Sequence, residues 1–176
     1  MEDSAKPTFM KTALTYALIM AVISIFFTLV FYFTDLYLKT WSQILNFVIS
    51  IVVLVYLMIA YRKTVLGGYA SLGQIFTMGF VSSMISLVIG LLVSYLMMNV
   101  LFPEMKDAIL LNAEQKLLNN PRIPESMLDA SLERAEKGME PVRQMLFGLI
   151  GGSLFNALIC LIVAAFVKKE EPIMSA

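Results

Sequence analysis

Eight carboxylates fall between residues 104 and 140: Glu104, Asp107, Glu114, Glu125, Asp129, Glu133, Glu136 and Glu140. A divalent cation or an acid–base pair would draw on such a set. These acids are interleaved with Lys106, Lys116, Arg122, Arg134 and Lys137, and no short loop is dense in them. The pattern is that of a solvated helical face. The chain has no histidine, which removes the commonest general base and metal ligand. Its single cysteine, Cys160, lies inside an apolar run and reads as a small packing residue. No internal disulfide can form. No acid or base lies deep in any apolar run, where a proton relay or ion pathway usually needs one. Asn156 is the only strongly polar side chain near the middle of such a run. It reads as an interhelical hydrogen bond worth about 0.6–2 kcal/mol. Gln74, Asn99 and Gln144 stand near the ends of runs, where water can meet them. No strand and no phosphate-binding loop is evident. The expectation is a protein that is not an enzyme, with no catalytic residue, metal or cofactor.

The elements around these residues are set by composition. The chain is 59% hydrophobic and 15% charged, with mean hydropathy +0.81. A soluble domain is nearer half apolar and a quarter charged. The excess is gathered into four long runs, at about 12–34, 43–61, 75–102 and 142–167. Each is near or above the ~20 residues that a bilayer core requires. The fold class expected is therefore all-α: an integral membrane four-helix bundle forming one domain over residues 1–176. The first run is longer than a signal-peptide core and no small-x-small cleavage site follows it, so it is read as uncleaved. The net charge is zero, and no nucleic-acid partner is implied.

Between the first two runs, Asp35, Lys39 and Trp41 make a tight connection, with Tyr32 and Tyr37 suited to the headgroup zone. Arg62 and Lys63 are expected to stop the second helix, since a cation at the bilayer centre costs about 2.5–3.5 kcal/mol. Gly67 and Gly68 then allow a sharp reversal. The third run is long enough to project past the bilayer until Pro103 breaks it. Residues 104–140 read as two short amphipathic helices, about 104–119 and 125–139. Their turn falls at Asn119, Asn120, Pro121 and Pro124. They form an expected extracytoplasmic hairpin between helices three and four.

Lys6, Lys11, Arg62, Lys63, Lys168 and Lys169 fall on one side of a four-pass arrangement, close to helix ends. The positive-inside rule weights such residues most heavily. Both termini are then cytoplasmic, residues 103–141 are periplasmic, and Arg62, Lys63, Gly67, Gly68, Lys168 and Lys169 form a cytoplasmic anchor and hinge.

Two rows of mostly small residues recur at every fourth position. Helix three carries Ser82, Ser86, Gly90 and Ser94, and helix four carries Gly148, Gly152 and Asn156, continuing to Cys160 and Ala164. Small residues let helices approach closely in lipid. The rows are expected to pack on each other or against the first hairpin. A homodimer face through Gly148 and Gly152 is the alternative use.

One set of residues carries a family resemblance. Tyr61-Arg62 leads to Gly67-Gly68-Tyr69 and then to Ser71-Leu72-Gly73-Gln74, which opens the third helix. A helical insert follows that helix, and the last helix bears Gly148, Gly151 and Gly152 and ends in Lys168-Lys169. From about Phe9 to Lys169 this order of parts resembles a bacterial family of membrane proteins, the domain of unknown function 4199. The resemblance implies four transmembrane helices in the inner membrane and supplies no activity. The function expected is that of a non-catalytic accessory or scaffold protein of the cell envelope, its hairpin presented to a membrane-protein partner. The alternative is a small transporter, channel subunit or lipid-binding protein, with a groove lined by the serine row and Asn156.

Overall fold

The computed structural model describes residues 8–120 and 124–170. Lys6, the turn residues Pro121 and Arg122, the side chain of Glu125 and the tail beyond Glu170 lie outside the described residues. The chain is all-α there, with helices α1 (Phe9–Phe33), α2 (Thr40–Thr64), α3 (Leu72–Leu96), α4 (Glu104–Leu118), α5 (Leu128–Gly138) and α6 (Pro141–Val167). A π-helical turn, Met97–Leu101, prolongs α3, and a 3-10 turn, Glu125–Met127, precedes α5. Four segments are long and apolar enough to cross a membrane: α1, α2, α3 with its π turn, and α6.

Several boundaries differ from expectation, each for a local reason. Helix α2 does not stop at Arg62 but carries Arg62 and Lys63 in its last turn, where unsatisfied carbonyls favour cations. Helix α3 starts at Leu72 rather than near 75. Ser71 accepts from the Gln74 amide, and the Gln74 side chain accepts from the Ser71 amide at 2.9 Å. This capping box satisfies two otherwise orphaned donors. Pro141 is the first residue of α6, a position at which its missing N–H costs nothing. Helix α3 does not remain α-helical to 102; its end widens, and Phe102 N donates to Met97 O at 2.7 Å. Phe102 then leaves the helical region, as a residue before proline tends to do. With its π turn the third span covers 30 residues, about 45 Å at 1.5 Å per residue. That exceeds a hydrocarbon core of about 30 Å.

Helix α3 is central. Its largest interface is with α6 and its next with α1, while α2 packs more loosely on α1, α3 and α6. The core is concentrated at one end of the bundle. Ala13, Leu54, Met58, Tyr61, Ile75, Met78, Cys160 and Val163 form a single buried cluster near the α2–α3 connection. Large apolar side chains cover the outside, among them Phe166, Leu154, Phe147 and Tyr56. So much exposed apolar surface is untenable in water and is consistent with contact with a lipid bilayer.

Helices α4 and α5 pack on each other. Their link to the bundle is narrow: Met105 is buried, and the Tyr32 hydroxyl donates to Glu104 Oε1 at 2.7 Å. The Tyr32 ring also lies 4.3 Å from that of Phe102. The hydroxyl holds the Glu104 carboxyl below its ordinary value of 4.5. A carboxylate depressed in the folded state stabilises above its unfolded pKa, and that contribution is lost as pH falls through the folded value. Acidification from neutral pH through and below the ordinary glutamate range is therefore expected to loosen the base of α4. Distance measurements between spin labels on α4 and on the α1–α2 connection should report the change. Tyr32→Phe should be loosened already at neutral pH and show little further response. A wild-type response retained in Tyr32→Phe would assign the acid effect elsewhere.

Candidate functional site

Two places gather the residues singled out by sequence. The first is the hinge between α2 and α3. Gly67 and Gly68 both have positive φ, +71° and +101°, the region glycine enters without a Cβ penalty. The turn lets Gly68 N donate to Arg62 O at 2.8 Å. Arg62 Nη1 reaches across to Val167 O, at the C-terminus of α6, at 2.6 Å. Just beyond, Ala70 and Lys169 form an isolated antiparallel bridge, with N–H···O distances of 2.8 and 3.0 Å. Lys169 Nζ lies 5.1 Å from the centroid of the Tyr69 ring, and Lys168 pairs with Glu170 at 3.0 Å. Lys63 is exposed. The hinge is thus tied to the end of α6, a pairing between residues about a hundred positions apart that no sequence signal announced.

The second place is a cleft of about 310 Å³ between the long helices, open on one side. All four long helices contribute to it. Ser24 comes from α1, Ser50 from α2, Ser83, Ser86 and Gly90 from α3, and Asn156 from α6, with Leu87 and Leu91 at its edge. Its lining holds hydroxyls and one carboxamide but no ionisable group. Among the described residues Asn156 has no hydrogen-bond partner, so the interhelical bond expected of it is not made. Ser50 and Ser83 satisfy themselves on the carbonyls of Asn46, at 2.9 Å, and Phe80, at 3.0 Å. Cys160 is buried beside the cleft floor, its Sγ 3.6 Å from Ser83 Oγ.

The two rows meet neighbours different from those expected. A Cβ on Gly148 would lie 2.6 Å from Leu91 Cδ2, and one on Gly152 would lie 2.8 Å from Leu87 Cδ2. The glycines of α6 are therefore holes for two leucines of α3, not for its serines. That face is occupied within the chain. Gly90 meets nothing within 4 Å and opens onto the cleft with Ser86. Ser82 is buried against Met78, and Ser94 accepts from Gln144 of α6 at 3.3 Å. Gln144, expected to meet water, thus bridges two helices. Sequence reasoning missed Ser24 as a lining residue. A hydroxyl in an apolar span was the available signal, but it carries no information about direction. It also missed Gly79, whose Cβ would lie 1.8 Å from Met58 Cε.

Among the described residues no group of histidine, cysteine or acidic side chains is placed to hold a metal. On the hairpin, Lys137 pairs with Glu133 and lowers its pKa. Both side chains are exposed, and such pairs contribute little.

Fold and site together define an all-α membrane protein with an uncharged cleft among its apolar helices. The chain belongs to the family described as Protein of unknown function (DUF4199), whose model matches residues 15–169. No curated protein and no solved structure matches it.

Proposed function

We propose that the protein is a non-catalytic accessory or scaffold protein of the bacterial inner membrane, holding the α4–α5 hairpin for a partner in the cell envelope. The supporting observation is the continuity between span and hairpin. The 30-residue third span runs through its π turn into Pro103 and α4. Met105 and the Tyr32–Glu104 contact fix the base of α4 to the bundle. A hairpin held in this way is presented at a defined height. Leu111 and Leu118 on α4 remain more than half exposed, leaving apolar surface for a partner. In this reading Lys11, Arg62, Lys63, Lys168 and Lys169 mark the cytoplasmic side, because cations near helix ends favour that leaflet. Both termini are then cytoplasmic and residues 103–141 periplasmic.

The test is a photo-crosslinker at Leu111 in native membranes, with and without the pair Arg134→Glu and Lys137→Glu. One discrete adduct is expected, weakened about tenfold by charge reversal if the two cations together supply about 1.4 kcal/mol. An adduct indifferent to charge reversal, in a protein inactivated by Asn156→Leu, would count against the scaffold. It would favour the second reading, a transport or lipid-binding role for the cleft, which rests on the unpartnered Asn156.

A further inference from the structure

The cleft does not end at mid-bundle. It shares Ser24 and Gly90 with a second cavity of about 150 Å³, which is bounded by Met97, Met98 and Met105 at the base of the hairpin. That cavity shares Thr28 with a third, of about 140 Å³, which reaches Tyr37, Ser42 and Gln43 on the α1–α2 connection. The series thus climbs along Ser24 and Thr28, one helical turn apart, toward the hairpin end. At the other end it stops. Met58, Ile75, Met78 and Cys160, each at most 1% exposed, close the bundle above the hinge.

We propose that the cleft is a one-sided aqueous vestibule that binds a small uncharged polyol, entered from the hairpin end and sealed at the hinge end. This inference is independent of the scaffold reading. Asn156, half-buried and without a protein partner, is the first pointer to water. A carboxamide without a protein partner is unfavourable in a dry apolar site, and the space far exceeds the ~15 Å³ that one water needs. The same groups define the solute. Serine hydroxyls and a carboxamide both donate and accept, which matches a polyol's hydroxyls. With no ionisable group in the lining, an ion would be left uncompensated. Met97, Met98 and Met105, at the hairpin end of the second cavity, are flexible and can yield to a solute entering from that end.

The test uses single cysteines at Ser24, Ser86 and Asn156 in a Cys160→Ala background, reconstituted into vesicles. Met78→Cys and the lipid-facing Phe166→Cys are the dry controls. Lys63→Cys and Glu114→Cys report which vesicle face carries the hinge and which the hairpin. The probe is an uncharged, membrane-impermeant sugar-conjugated methanethiosulfonate, which reacts with thiolate and so requires water. Labelling at the three cleft positions is expected to be on the order of tenfold or more faster from the hairpin side than from the hinge side, and slow at both controls. Sorbitol should protect Ser86→Cys, and addition of Asn156→Leu should abolish that protection. Equal rates from both sides would replace the vestibule with an open pore. Rates as slow as those of Phe166→Cys would show a dry or lipid-filled cleft. Side-selective labelling without sorbitol protection would overturn the solute assignment. The unsubstituted protein gives an independent check against misfolded variants. Hydroxyl-radical footprinting should oxidise Met20 and Met98, which line the cavities, and spare Met58 and Met78. Protection of all four would refute the vestibule.

Discussion

Replacing Gly79 by valine is expected to lower stability by about 1–3 kcal/mol, the usual cost of overpacking a filled core. The added Cβ alone would lie 1.8 Å from Met58 Cε and 3.2 Å from its sulfur. A methionine side chain is flexible, but this one is 1% exposed and belongs to the same buried cluster as Leu54, Ile75, Met78 and Cys160. Buried among these side chains, it can make room only by changing rotamer or displacing a neighbour. Gly152→Ile is expected to be milder, although it lies in the more obvious small-residue row. Its first contacts are the terminal methyl groups of Leu87, at 2.8 and 3.0 Å, and Leu87 borders the cleft into which it can swing. Thermal inactivation in detergent, followed by loss of the monodisperse peak, should rank Gly79→Val well below Gly152→Ile. Adding Met58→Ala should recover part of the loss in Gly79→Val and none in Gly152→Ile. The opposite ranking would mean that the glycine row of α6, rather than the hinge-end core, limits stability.

Arg62→Leu is expected to release the hinge from the end of α6. The guanidinium donates to Val167 O at 2.6 Å, a charge-assisted bond to the helix end at which cations are favoured. Its Nε is buried without a partner, and removing that unmet donor offsets part of the loss. The net cost is therefore about 1–2 kcal/mol rather than the ~3 kcal/mol that a fully satisfied charged bond can reach. The local effect should be clearer than the global one. The amides of Ala70 and Lys169 are protected by each other's carbonyls, and they should exchange faster in Arg62→Leu. Arg62→Lys keeps the charge but shortens the reach, so intermediate exchange is expected. Wild-type protection of both amides in Arg62→Leu would show that the bridge stands without the arginine.

The effects differ in kind because they act at different levels of structure. Gly79 matters through volume, and a single glycine in an apolar run carries no mark of it. Arg62 was conspicuous in sequence as a cation beside an apolar run, and the charge itself suggested an anchor. Its acceptor, Val167 O, was not legible, since a backbone carbonyl has no residue type to read. Ser71 and Gln74 stand between these cases. Their three-residue spacing is a capping signature from which the start of α3 could have been read.

The sequence by itself determined the number of apolar spans, their ends to within three residues, the glycine reversal at Gly67 and Gly68, the presence of a two-helix insert after the third span and the family. These follow from local quantities: the length of an uncharged run, a positive φ that only glycine enters freely, and the charged, proline-punctuated composition of the segment after the third span. Tertiary structure alone decided how each span is rotated about its axis. A soluble helix announces its buried face by contrast with a polar one. These spans are apolar on every side, so that contrast is missing, and small residues suggest proximity without direction. The seating of Leu87 and Leu91 against Gly152 and Gly148, the turning of Ser24, Ser86 and Asn156 toward one cleft, and the closure of Met58 on Gly79 are pairwise fits of shape. Each depends on a partner helix that the sequence of one span does not contain.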